Sequence, residues 1–218
     1  MLSVQNVNYN YQSKYQLVHA LKGINCHFLP GKFHVIEGRS GSGKTTLLSL
    51  LAGLDTPTEG NIYMDGIPYQ KMDMEQLRRE RVAIIFQTFN LFPLLTNHEN
   101  VMYPMQIQGK SLSQARDVAK DYIRSVGLGD EVLRKYPTML SGGEQQRIAI
   151  ARALASGAKI ILADEPTGNL DSENGKLVVD ILKDLVKKKE YCVIFVTHDK
   201  SIVEQADVVY HMLDGIIV

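Results

Sequence analysis

Gly38-Arg-Ser-Gly-Ser-Gly-Lys44-Thr45 decides the fold. Its spacing fits G-x-x-x-x-G-K-[ST], the pattern of a phosphate-binding loop. The flanks give the pattern weight. Phe33-His-Val-Ile36 before it is apolar and β-prone, and Leu47, Leu50, Leu51 and Leu54 after it recur at helical spacing. Strand, glycine loop, helix is the order phosphate binding needs. The glycines let successive N–H groups turn inward with no Cβ in the way, and the helix adds its positive end. Gly38, Arg39, Ser40, Gly41, Ser42, Gly43, Lys44, Thr45 and Thr46 are therefore the candidate triphosphate-binding residues. Lys44 can reach the β- and γ-phosphates, and the Thr45 hydroxyl can ligate Mg²⁺. The plain alternative is a flexible Gly/Ser turn ahead of a helix.

The rest of the chain sets bounds. At 218 residues it is one domain, or one domain with an insertion. A hydrophobic content of 44% supports a proper core. Lys+Arg and Asp+Glu both number 24, and this zero balance argues against bulk electrostatic binding to nucleic acid. Cys26 and Cys192 are far apart in apolar segments, which reads as two buried thiols in a reducing compartment rather than a disulfide or metal site. The N-terminal residues lack the basic and apolar regions of a signal peptide, and no apolar run approaches the length of a membrane span. These features predict a soluble, cytoplasmic protein.

Outward from the loop, residues 2–9 and 21–29 read as strands, with Pro30-Gly31 as a turn. Tyr9, Tyr11 and Tyr15 lie in or beside them, and each suits either stacking on a nucleobase or packing at a sheet edge. Arg81-Val-Ala-Ile-Ile-Phe-Gln87 reads as a strand ending in a glutamine. Strand ends face the nucleotide in this class of fold, so the Gln87 amide oxygen could touch Mg²⁺ or water; a solvated loop residue is the alternative. Residues 88–137 change character. Pro93 and Pro104 interrupt, while Ala115, Ala119, Tyr122, Ile123 and Val126 share a helical face, which predicts a helical insertion. Leu91, Phe92, Leu94 and Leu95 suit either core packing or a docking surface.

Leu140-Ser-Gly-Gly-Glu-Gln-Gln-Arg147 begins as a capping box, Ser141 with Glu144. Two glycines in a first helical turn cost about 1 kcal/mol of propensity each, yet they let a phosphate approach the backbone. Two anion-binding helix starts so far apart in sequence suggest sites that meet across an interface. Lys159-Ile-Ile-Leu-Ala-Asp164-Glu165 is apolar on both faces, as a central parallel strand is, and ends in two carboxylates. Asp164 is placed to hold Mg²⁺ through water, and Glu165 to polarise an attacking water. Tyr191-Cys-Val-Ile-Phe-Val-Thr197 is a second buried strand, ending at His198. A lone histidine is commonly structural; at this strand end it can also contact a γ-phosphate.

In this order, phosphate loop, Gln87, Leu140-Ser-Gly-Gly-Glu-Gln145, the strand ending Asp164-Glu165, Gly168-Asn-Leu-Asp171 and His198, the sequence resembles the nucleotide-binding subunit of ATP-binding cassette (ABC) transporters over its whole length. The resemblance implies an α/β fold: a P-loop NTPase of the ABC ATPase type, a mixed central sheet with an antiparallel β subdomain and a helical insertion. It implies a single domain, with residues 1–87 and 138–218 as core plus β subdomain and 88–137 as the helical subdomain. It implies a transport-coupled ATPase using ATP and Mg²⁺, in which two copies pair head to tail. Each ATP would lie between the phosphate loop of one copy and Ser141, Gly142, Gly143 and Glu144 of the other. Tyr11 aligns with the aromatic that stacks on adenine, with Tyr9 as the fallback. Glu165 is the implied general base, His198 the γ-phosphate contact, Asp171 the D-loop acid, and Thr45, Gln87 and Asp164 the Mg²⁺ residues. A separate integral-membrane permease would be driven from the inner face of the cell membrane, with no nucleic-acid partner. Glu144 replaces the commoner glutamine of the signature, and Gly168-Asn169 the usual Ser-Ala. The Gln87 and Asp171 segments further resemble the branch of macrolide and antimicrobial-peptide exporters, lipoprotein-release complexes and the division-associated complex. The alternative is a soluble cassette ATPase of translation or DNA repair, which usually carries two cassettes or a coiled-coil insertion.

Overall fold

The computed structural model describes residues 1–12, 16–189 and 191–218. In chain order its elements are β1 (Leu2–Gln12), β2 (Leu17–Phe28), β3 (Lys32–Gly38), α1 (Lys44–Leu51), β4 (Glu59–Met64), β5 (Ile67–Pro68), α2 (Met74–Glu80) and β6 (Val82–Ile85). There follow α3 (Asn97–Ile107), α4 (Leu112–Ser125), α5 (Gly142–Ala155), β7 (Ile160–Asp164), α6 (Ser172–Lys189), β8 (Cys192–Thr197), α7 (Lys200–Val203), β9 (Val208–Leu213) and β10 (Ile216–Ile217). One sheet is antiparallel, in the order β2-β1-β4-β5; the other is mixed, in the order β10-β9-β3-β8-β7-β6. Within the second, β3, β6, β7, β8 and β9 run parallel and only β10 turns back.

The apolar runs of β7 and β8 explain why they sit in the middle. Ile161, Ala163, Val193 and Phe195 face a core built with α3, α4, α5 and α6. Their neighbours Leu162, Ile194 and Val196 face the opposite core, shared with α1 and the antiparallel sheet. A strand buried on both faces has no place for a polar side chain until it ends. The functional carboxylates and the histidine therefore appear at strand termini. Parallel pairing puts those termini on one edge, beside the loop that follows β3.

Helix starts are set by side chains. Thr96, Ser111 and Ser141 each form a reciprocal capping box with Glu99, Gln114 and Glu144. Two expectations need correction. Leu54 is not on α1: Gly53, at φ 65°, ends the helix, and the Leu54 N–H turns back to Ser49 O at 3.0 Å. Leu54 is half exposed as a result. β6 also stops at Ile85, so Gln87 lies beyond the strand rather than at its end. The Leu91 segment divides between its two readings. Leu91 packs on the core, whereas Leu94 is 88% exposed.

Candidate functional site

The loop after β3 leads into a helix with no cap of its own. Gly43 is the N-cap of α1 at φ 100°, it offers no side chain, and the first turn carries no acid. At α3, α4 and α5 a hydroxyl fills that role. The first N–H groups of α1 are thus left for a ligand, and an anion suits them. The Ser42 hydroxyl beneath is buried without a partner. Lys44 is 5% exposed and donates from Nζ to Gly38 O at 2.8 Å and Arg39 O at 2.9 Å. Packing behind the loop is tight: a Cβ on Gly38 would lie 2.4 Å from Met212 O. A cleft of about 700 Å³ opens over Ser40, Gly41, Gly43, Lys44, Thr45 and Thr46.

Tyr11, Val18 and Ala20 form the far wall of this cleft. Tyr11 is half exposed, with its hydroxyl 3.2 Å from Thr46 Oγ1. It meets the Tyr9 ring edge-on, centroids 4.9 Å apart. Tyr9 is buried and donates its hydroxyl to Asp55, and that bond, aided by burial, pushes its pKa up to about 12. Tyr9 is committed to the fold, and Tyr11 is the aromatic with a free face. Tyr15 lies outside the described residues.

At the neighbouring strand ends, Thr45 Oγ1 donates to Asp164 Oδ1 at 3.3 Å. Burial pushes the Asp164 pKa up, with the Thr45 hydrogen bond pulling the other way. A half-buried acid that ionises reluctantly is a group that gains from a cation. Glu165 follows at φ 44°, left-handed for a residue with a side chain. That turn sets its carboxylate between Lys44 Nζ, 3.8 Å from Oε1, and His198 Nδ1, 3.3 Å from Oε2. Lys44, Thr45, Asp164, Glu165 and His198 are thus brought together. Gln87 is engaged elsewhere, with its amide 3.4 Å from Asn169 Oδ1. The donor set fits the expected ligands. The uncapped helix start, the orphaned Ser42 hydroxyl and Lys44 suit a triphosphate, and the Thr45 and Asp164 oxygens suit a hard divalent cation such as Mg²⁺.

The signature residues do not line this cleft. Ser141 Oγ and N both bond Glu144 Oε2, at 2.9 and 2.8 Å, and these bonds hold the Glu144 carboxyl below its usual range. Gly142 has room, since a Cβ there would meet nothing nearer than 3.6 Å. Gly143 has a packing reason of its own, because a Cβ would lie 2.2 Å from Asn174 Oδ1. Asn174 in turn bonds Asp171 through its N–H and Nδ2, each at 2.8 Å, and its N–H holds the Asp171 carboxyl low. Sequence reading missed Asn174 and also Asn169, which carried no pattern beyond its departure from the usual D-loop.

A family model described as ABC transporter matches residues 21–168. The uncharacterized ABC transporter ATP-binding protein YclH of Bacillus subtilis (strain 168) is 42% identical over 208 residues, 95% of this chain and 91% of that protein. The lipoprotein-releasing system ATP-binding protein LolD 2 of Rhodopirellula baltica is 38% identical over 225 residues, covering 100% of this chain and 88% of that one. Among solved structures, the cassette MJ0796 superposes as a dimer and as a post-hydrolysis dimer bound to ADP and Pi. Each has a TM-score of 0.92 at 38% identity, covering 100% of this chain and 96% of that chain.

Proposed function

From the premise that the chain belongs to the ABC transporter family, as an ATP-hydrolysing cassette, we propose that it works as a head-to-tail homodimer driving a separate integral-membrane permease. The observation that carries this reading is Glu165, held between Lys44 and His198 beside an uncapped phosphate loop. The loop N–H groups and Lys44 bind the triphosphate, for which Lys44 gives up its two backbone carbonyls. Tyr11 stacks on the adenine. Thr45, Gln87 and, through water, Asp164 would hold Mg²⁺, which when bound would supply charge neutralisation on the triphosphate. Glu165 accepts the proton of the attacking water, and His198 contacts the γ-phosphate. Ser141, Gly142, Gly143 and Glu144 reach the nucleotide of the other copy, which agrees with their place outside this chain's own cleft. Asp171 stands at the same dimer face.

Residues 88–137 act as the helical subdomain that meets the permease, and residues 1–87 with 138–218 as the core. Among the described residues no helix is long and apolar enough to cross a membrane, which suits a protein attached peripherally to the inner face. The lipoprotein-releasing relative and the sequence around Gln87 and Asp171 favour an exporter or lipoprotein-release role.

Glu165→Gln tests the reading. It keeps the hydrogen-bonding shape and loses the base, so ATP binding stays, turnover falls by at least about a hundredfold, and sedimentation with ATP gives a dimer. The tagged variant, with ATP and Mg²⁺ in a detergent extract, co-purifies a polytopic membrane protein. Rapid turnover removes Glu165 as base. A monomer in saturating ATP removes the shared site, and ribosomal or DNA-bound partners remove the permease.

A further inference from the structure

Two backbone and side-chain amides meet behind the site. Asn169 donates from Nδ2 to the Gln87 backbone carbonyl at 3.1 Å, and its Oδ1 lies 3.4 Å from Gln87 Nε2. Gly168 makes the room: a Cβ there would stand 2.7 Å from Gln87 Nε2 and 3.4 Å from Gln87 Cδ. These contacts fix the chemistry of the pair by elimination. A backbone carbonyl only accepts, so Asn169 must turn its nitrogen to it. Its oxygen is then the atom left for the Gln87 side chain, which must answer with its nitrogen. The Gln87 Oε1 is therefore the atom kept free.

We infer that Asn169 is a positioning residue, which holds the Gln87 amide in the one flip that presents oxygen, rather than nitrogen, to a divalent cation. The inference rests on the reading above that Gln87 contacts Mg²⁺. Oxygen is the only amide atom a hard cation accepts, so an unheld amide spends part of its time with the wrong face forward. Gly168 and Asn169 act as one device, the first clearing the space and the second setting the orientation. Alanine in place of Asn169 carries no atom able to do this. Asn169 is exposed, so its removal leaves the core intact.

The test uses Mn²⁺ as a paramagnetic probe of the protein loaded with β,γ-imido-ATP, with Mn²⁺ affinity read by electron paramagnetic resonance. Gln87→Ala and Asn169→Ala each weaken Mn²⁺ binding by about tenfold, the usual effect of losing a ligand's supporting partner. The double variant is no weaker than Gln87→Ala alone. Asn169→Leu behaves as Asn169→Ala, because its similar shape offers the Gln87 nitrogen no acceptor. Unchanged affinity in Asn169→Ala beside a weakened Gln87→Ala overturns the positioning role alone, as does additivity in the double variant or a wild-type Asn169→Leu. Unchanged affinity in Gln87→Ala removes the cation contact on which the inference stands.

Discussion

Gly143→Ala separates packing from ligand binding in the signature. Alanine in place of a glycine in the first turn of α5 gains at most about 1 kcal/mol, so propensity alone predicts a more stable protein. The structure predicts the reverse. The new methyl would lie 2.2 Å from Asn174 Oδ1, 2.4 Å from its Cγ and 2.9 Å from its Cβ. Rotating the Asn174 amide away relieves the first two contacts and forfeits its 2.8 Å bond to Asp171. It does not relieve the third, since Cβ is fixed to α6. Overpacking of this kind costs about 1–3 kcal/mol, and a lost hydrogen bond about 1 kcal/mol more. After the propensity gain the net destabilisation is about 1–3 kcal/mol, or roughly 2–12 °C in melting temperature for a chain of this size. Urea denaturation of Gly143→Ala, Asn174→Gly and the double variant closes a thermodynamic cycle. Because Asn174→Gly removes all three crowding atoms, Gly143→Ala keeps only its propensity gain there, and the coupling between the sites should be about 2–4 kcal/mol. If Gly143→Ala is neutral or stabilising in the parent, or the coupling is only a few tenths, the steric argument is wrong. A stable double variant that still hydrolyses ATP poorly would then isolate the need for a bare backbone at position 143.

Three further outcomes are expected. Tyr11→Ala should weaken ATP binding by about tenfold in a calorimetric titration, since stacking on a base is worth about 1–3 kcal/mol. Tyr11→Phe and Tyr9→Phe should bind as the parent does, and equal losses in Tyr9→Phe and Tyr11→Ala would contradict the division of labour between them. Stability should fall as pH rises from 9 towards 12. Burial pushes both the Cys26 and Cys192 thiols from 9.0 up to about 12, so the unfolded chain releases protons that the folded chain retains. Each thiol contributes a slope of about 1.4 kcal/mol per pH unit in that window. Urea midpoints at pH 8.5, 9.0 and 9.5, below the range in which the raised tyrosines add to the slope, should therefore lie closer together in Cys26→Ala/Cys192→Ala, and an unchanged slope there refutes this origin.

What could be read from the sequence was what local chemistry determines. β7 and β8 are apolar on both faces, so their place in the sheet and the polar residues at their ends followed from composition. The phosphate loop followed from glycines between a strand and a helix. What could not be read depends on distant partners. Tyr9 and Tyr11 share one face of β1 by alternation, and only the sheet shows that the first lies over the core, on Asp55, while the second runs past its edge into the cleft. That Gly143 also clears space for Asn174 could not be read, because Asn174 is not its neighbour in sequence. Leu54 kept the helical rhythm of α1 after the helix had ended, since periodicity does not register the turn that Gly53 imposes. Gln87 could be picked out as functional, but the amide that orients it is distant in sequence, at Asn169.

The left-handed backbone at Glu165 sets folding and chemistry against each other at a single position. A side chain at φ 44° costs about 1 kcal/mol that glycine would not, and the turn there is held by backbone bonds that any residue can make, Glu165 N–H to Val196 O at 3.1 Å and Gly168 N–H to Glu165 O at 3.0 Å. Any selection on thermal stability alone would drift towards glycine or asparagine at 165 and return a hardier protein that has lost its carboxylate. Ranking variants of this chain by melting temperature would thus reward the inert ones. Libraries built to stabilise it should hold position 165 constant and look for their gains on the far side of the sheet.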